Sequence, residues 1–317
     1  MKILTYKDIK DLNISADEYY QWTDEVLRNR DSYIMPTKTR IPMRESDYFN
    51  VMPCALPSEN SVGLKVITRN EQRREEGSLN LDAQIYLYSY DKCELLAILD
   101  GNYITTIRTA AIAVHTFLNL IDEYETVAMV GLGNIGTKIG DILFEKTKNK
   151  KYTVKLYKYK GQEERFIERF KQYTNINFVI CDTYDELMKD SDAVFSSVTF
   201  AEEDFCDASV YKEGCLVIPV HMRGFMGCDL TFDHIIASDM ERIKNFKYYD
   251  QYKKLSSTDD VLFKGKTLKE KASDRVIVYN LGLSITDLYF ASKIYHLANN
   301  KVEDLDITIY PEEKFYI

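Results

Sequence analysis

The pattern of apolar and polar positions changes character near residue 121. Beyond it, short apolar runs of strand type at 126–130, 152–157, 177–181, 193–197, 216–220, 235–238 and 276–280 are separated by stretches of helical spacing. Strands that alternate with helices predict a parallel sheet covered on both faces. Ahead of that point the pattern is mixed. Ser15-Ala16-Asp17-Glu18 is a capping box that opens a helix reaching about residue 30, with Tyr19, Trp22, Val26 and Leu27 on its buried side. Residues 35–57 hold four of the six prolines and read as loop with short extended pieces. Residues 61–68 alternate as a strand, placing Val62, Leu64 and Val66 on one face and Gly63, Lys65 and Ile67 on the other. Residues 85–90 and 95–100 form a hairpin, and Ile104, Ile107, Ala111, Val114, Leu118 and Ile121 mark one buried face of a helix. The fold class is therefore α/β. A Rossmann-type parallel-sheet domain spans 122–283, and an α+β domain spans 1–121, joined by a returning segment at 284–317.

At the head of the parallel sheet the run 126–130 is followed by Gly131-Leu132-Gly133-Asn134-Ile135-Gly136, then by Ile139, Ile142 and Leu143 at helical spacing. Strand, glycines and helix in that order are the context in which G-x-G-x-x-G binds a dinucleotide. Gly131 permits the turn, Gly133 lets backbone approach a pyrophosphate, Gly136 lets helix pack on strand, and Asn134 and Ile135 open the helix toward the phosphates. The same glycines could also shape an ordinary turn. About twenty residues further on, NAD-binding sheets commonly carry an acid for the ribose hydroxyls. Here that place reads Lys158-Tyr159-Lys160. Ammonium groups there predict NADP(H) over NAD(H), the other reading being that they point into solvent.

Arg108 interrupts the apolar helix stripe, four residues after Ile104 and three before Ala111. A buried guanidinium cannot shed its charge and needs an anion, supplied either by a ligand or by an internal carboxylate. Its place in the first turns of the helix favours a negative ligand group. His115 shares the stripe and reads as a satisfied core histidine.

A net charge of −9 removes the basic surface that nucleic acid or an anionic membrane would need. The opening MKILTYKDIK is too polar for a signal peptide, and no apolar run is long enough to cross a bilayer, so a cytoplasmic protein is expected. Six cysteines without C-x-x-C or Cys/His ligand spacing predict reduced thiols and no metal site.

Several segments together resemble the ornithine cyclodeaminase/mu-crystallin family, which also holds alanine dehydrogenases, ketimine reductases and diaminopropionate-pathway dehydrogenases. They are Arg40 with Met52-Pro53, Gly63-Leu64-Lys65-Val66, Leu99-Asp100-Gly101 with Thr105-Thr106-Ile107-Arg108-Thr109-Ala110-Ala111, the glycine turn, and Asn280-Leu281-Gly282 with Asp287. The resemblance implies a homodimer formed through the first domain. It also implies hydride exchange at a nicotinamide, a substrate carboxylate held by Arg40, Lys65 and Arg108, and Thr109 at the coenzyme. Cyclodeaminases carry an aspartate after the fifth strand, where this chain has His221 in Pro219-Val220-His221-Met222-Arg223-Gly224. That departure argues for a dehydrogenase or imine reductase, with Lys65 or His221 moving the proton at nitrogen. A lyase that recycles its hydride and a non-catalytic NADP(H)-binding protein are the competing readings.

Overall fold

The structure is a computed structural model that describes residues 1–305 apart from Glu45, Ser46, Ser78, Leu79, Phe200 and Asn300. The chain opens with β1 (Lys2–Leu4), α1 (Tyr6–Asp11) and α2 (Ala16–Arg28). The expected capping box closes the start of α2: the Ser15 N–H donates to Glu18 Oε2 at 2.8 Å and the Glu18 N–H to Ser15 Oγ at 3.2 Å. Then come β2 (Thr39–Pro42), β3 (Tyr48–Leu56), β4 (Ser61–Arg69), α3 (Glu71–Glu75), β5 (Leu81–Ser89), β6 (Leu95–Asp100) and α4 (Gly101–Leu120). The next elements are β7 (Thr126–Val130), α5 (Asn134–Lys146), β8 (Tyr152–Tyr157), α6 (Gln162–Phe170), β9 (Ile176–Cys181), α7 (Tyr184–Met188) and β10 (Ala193–Ser196). The chain continues through β11 (Leu216–Pro219), β12 (His234–Ala237), β13 (Leu255–Ser257), α8 (Thr258–Leu262), β14 (Val276–Tyr279) and α9 (Ser284–Ala298).

Two sheets result. The first has the order β1-β6-β5-β4-β3-β2 and is antiparallel except where β1 joins β6. The second, β13-β12-β14-β11-β10-β7-β8-β9, is parallel at every pairing. Its connections reverse direction between β7 and β10, and the glycine turn leaves β7 at that switch point, where doubly wound sheets receive ligands.

The chain divides into two compact units, one of Met1–Ile14, Asn29–Thr105 and the chain from Ser284 onward, the other of Ser15–Arg28 and Thr106–Leu283. The division drawn from sequence at 121/122 differs because α2 and most of α4 pack with the parallel sheet's unit. There Asp24 Oδ1 accepts from His115 Nε2 at 3.0 Å, Lys146 pairs with Asp17 at 2.7 Å, and Asn119 donates to Tyr20 at 3.0 Å. Residues 306–317 of the returning segment lie outside the described residues.

Two local expectations are corrected, and one strand was not expected at all. Residues 48–56 form one long strand rather than loop. Pro53 is tolerated because β2 pairs only with the stretch from Tyr48 to Val51, so its missing N–H removes no β2–β3 bond. α4 is buried all round from Ile107 to Phe117 instead of along one stripe, while Leu118 is half-buried and Ile121 lies past its end. β13, a Leu-Ser-Ser edge strand, has no apolar pattern to announce it.

Candidate active site

The three glycines of the turn have distinct duties. Gly131 has φ +85°, and a Cβ there would lie 2.5 Å from the Ser197 carbonyl carbon; at Gly136 it would lie 2.3 Å from the Gly131 oxygen. Those two are required by the fold. Gly133 has φ −79° and ψ −156°, a conformation open to any residue, and a Cβ there would meet nothing within 4 Å. It is the N-cap of α5 without a side-chain cap, so the backbone N–H groups at Asn134, Ile135 and Gly136 open a bare helix N-terminus. The space before it belongs to a cleft of about 420 Å³ that includes Asn134, Thr137, Gln162, Arg165 and Arg169. These residues fit the phosphates of a dinucleotide.

At the end of β8, Lys158 is exposed and pairs with Asp182 at 2.8 Å. Exposed pairs of this kind are weak, so the ammonium can exchange Asp182 for a phosphate. Sequence reading missed Arg165, seven residues on and one turn into α6. Its Nη2 donates to the Lys160 carbonyl at 3.4 Å, and it makes no ion pair among the described residues. Arg169, by contrast, is held by Asp141 through bonds of 2.9–3.1 Å. Glu163 anchors the intervening turn. Burial alone would raise its carboxyl, but the Tyr159 N–H, 2.9 Å from Oε2, is among the bonds that hold it below its ordinary value.

Arg108 is 5% exposed, as its place on α4 predicts, and neighbouring Thr109 is also buried. A methyl group at Gly282 would sit 2.9 Å from the Arg108 guanidinium, so the glycine gives that group its room. The 280–282 loop is fixed by Asn280 against Thr116 at 3.3 Å and by Ser238, whose Oγ donates to the Leu281 carbonyl at 2.8 Å. His115 is fully buried, and burial lowers its pKa.

In the other unit, Lys65 Nζ pairs with Asp287 of α9 at 2.6 Å and donates to Thr105 Oγ1 at 3.2 Å, with lysine and aspartate both almost fully buried. The apolar alternation of β4 is thus inverted relative to burial: Gly63 and Lys65 lie on the covered face under α9, and Val62, Leu64 and Val66 on the half-exposed one. Arg40 sits on exposed β2 with its guanidinium 4.3 Å from the Tyr48 ring centroid. Cross-strand pairing of Arg40 with Asn50, Asn50 with Ile67, and Met52 with Lys65 puts Arg40, Asn50 and Lys65 on the same sheet face. Asn50, another residue the sequence did not single out, is 1% exposed, and among the described residues its Oδ1 has no hydrogen-bond partner.

His221 follows β11. Its Nδ1 accepts from the Arg223 N–H at 3.2 Å, which leaves the proton of the neutral ring on Nε2, 2.6 Å from Ser196 Oγ. Burial pushes its pKa down to about 4. Both ring nitrogens are thus engaged, and at ordinary pH the imidazole is neutral.

A family model for the ornithine cyclodeaminase/mu-crystallin family matches residues 1–302. The chain belongs to this family. Among its relatives is the nodulation efficiency protein NfeD of Rhizobium meliloti, 24% identical over 305 residues that cover 93% of this chain and 94% of that protein. The Δ1-pyrroline-2-carboxylate reductase of Thermococcus litoralis, solved with NADH and L-proline, superposes with a TM-score of 0.84 at 18% identity, covering 95% of this chain and 98% of that one. An archaeal alanine dehydrogenase dimer with bound NAD gives a TM-score of 0.83 at 20% identity, covering 95% and 97%. The family's fold therefore extends over both units. Among the described residues no helix is long and apolar enough to cross a membrane, and all six cysteines are unbridged.

Proposed function

We propose that this family member is an NAD(P)-dependent oxidoreductase that moves a hydride at the α-carbon of an α-amino or α-imino acid. The observation that carries the reading is the buried Arg108 guanidinium packed on Gly282, in a unit whose bare helix start fits a dinucleotide. Arg108, with Arg40 and Lys65, is assigned to the substrate carboxylate. A bound nicotinamide supplies or accepts the hydride. Addition of hydride to C=N also needs a proton at nitrogen, and a guanidinium cannot release one. With His221 neutral and both its nitrogens bonded, the Lys65 ammonium is the donor and Asp287 its counter-charge. His221 and Ser196 then shape the nicotinamide side of the loop. Thr109 is assigned to the coenzyme. The relatives' bound NADH, proline and NAD support the same chemistry.

The test is coenzyme absorbance with NADH and NADPH against amino acids, keto acids mixed with amines, and cyclic imines. Stoichiometric oxidation or reduction is expected with at least one substrate class; product formed without net coenzyme change would make the protein a lyase, and tight binding without turnover a binding protein. Arg108→Leu is expected to raise KM at least about tenfold and leave coenzyme affinity intact, since a charge-assisted bond is worth ~1.5–3 kcal/mol.

NADP(H) is proposed over NAD(H), with Arg165 joining Lys158 at the extra phosphate. Arg165→Glu should weaken NADPH binding about tenfold or more while leaving NADH within a factor of ~3. Dissociation constants for the two coenzymes decide it, and preference for NADH in the parent protein would overturn it.

A homodimer through the first unit is proposed from its open sheet face, where Pro53, Val62, Leu64, Tyr86, Tyr88 and Ile98 stand half-exposed side by side. Sedimentation at micromolar concentration should show a dimer that Leu64→Asp dissociates. A monomeric parent protein would refute the assignment. The substrate is a small molecule in a cytoplasmic setting, in keeping with unbridged thiols and an acidic surface.

A further inference from the structure

Arg242 follows β12 at the carboxyl end of the parallel sheet, the edge at which doubly wound folds receive ligands. It is half-buried. Its Nη1 donates to the Gly282 carbonyl at 3.0 Å; among the described residues that is the guanidinium's one hydrogen bond, and it makes no ion pair. A guanidinium carries five N–H donors in a rigid fork, so most of this one's capacity is unspent. Asp239, whose negative charge acts on this guanidinium, directs Oδ1 to the backbone N–H groups of Glu241 and Arg242 at 3.1 and 3.0 Å. The Arg108 guanidinium lies against the same glycine. Two guanidinium groups therefore converge on Gly282. Arg242 is partly desolvated and makes no ion pair among the described residues, so an anion bound at its remaining N–H donors would offset that cost.

We propose that Arg242 reads a second carboxylate, so that the substrate class is a dicarboxylic α-amino or α-imino acid with one carboxylate on Arg108 and the other on Arg242. This rests on the oxidoreductase reading above. A monocarboxylate shared by both arginines is the competing arrangement, and it predicts equal losses for mono- and diacids.

The experiment compares imines formed by methylamine with 2-oxoglutarate and with 2-oxopentanoate, which have the same chain length. The parent protein should favour the diacid by at least ~tenfold in kcat/KM, and Arg242→Gln should erase that preference while changing the monoacid less than ~threefold. Glutamine retains a donor for the Gly282 carbonyl, so a merely structural role would be rescued by it. No diacid preference in the parent protein, a preference that survives Arg242→Gln, or equal loss of both substrates would overturn the proposal. Should neither imine be turned over, calorimetry with glutarate and pentanoate decides the site by itself, while the oxidoreductase reading stands or falls on the coenzyme-absorbance screen across all three substrate classes. Tighter glutarate binding that disappears in Arg242→Gln supports it, and equal binding of the two acids sinks it.

Discussion

Replacing Gly133 with valine is expected to leave the melting temperature nearly unchanged and to weaken dinucleotide binding at least ~100-fold, about 2.8 kcal/mol. The two effects separate because a Cβ at this position meets nothing within 4 Å and the backbone conformation suits any residue, whereas the same Cβ would occupy the space before the bare start of α5. Gly136→Ala provides the contrast. Its Cβ would press within 2.3 Å of the Gly131 oxygen, so that variant should lose stability whether or not coenzyme is present. Coenzyme titration and thermal melts on both proteins check the pair of results. A Gly133→Val protein that binds coenzyme as the parent does would remove the dinucleotide assignment.

The second large effect is expected at the Lys65–Asp287 pair. Both side chains are almost fully buried and 2.6 Å apart, so Asp287→Leu strands an ammonium in the interior and should cost ~3–5 kcal/mol. Adding Lys65→Met removes the stranded charge. The double variant should recover most of the stability and remain inactive, because stability asks only that the pair be matched while catalysis asks for the ammonium itself. Denaturant unfolding and turnover measured together separate these demands. A single variant within ~0.5 kcal/mol of the parent protein would mean the pair is solvated in solution.

The parallel sheet was legible because each strand is a short apolar run between helices, and predicted ends agree with observed ones to within one residue at β7, β8 and β14. β3 was obscured by its prolines, whose effect depends on where a neighbouring strand stops. Sequence spacing placed Lys65 on its strand and left Asp287, two hundred residues away, unassigned as its partner, since ion pairs between distant segments leave no local mark. Arg165 and Arg242 were missed for a related reason. Both are ordinary-looking arginines in polar stretches, and only the chain's return brings one to the glycine turn and the other to Gly282. His221 was placed after its strand, but its tautomer follows from the Arg223 N–H and the Ser196 hydroxyl, which no spacing rule contains.

The covered face of the first sheet depends on α9, the last helix described, while the sheet's own strands are complete by Asp100. Gly63 makes the dependence strict, because a Cβ there would meet Leu288 of α9 at 2.9 Å; the helix lies close enough to touch the strand. During synthesis at ~5–20 residues per second, roughly 10–40 s separate the emergence of β6 from that of α9. For that interval the strands have no lid and the Lys65 ammonium no carboxylate. The first unit to emerge is therefore the last to finish folding, and its early strands are the segment that nascent-chain chaperones would have to shield.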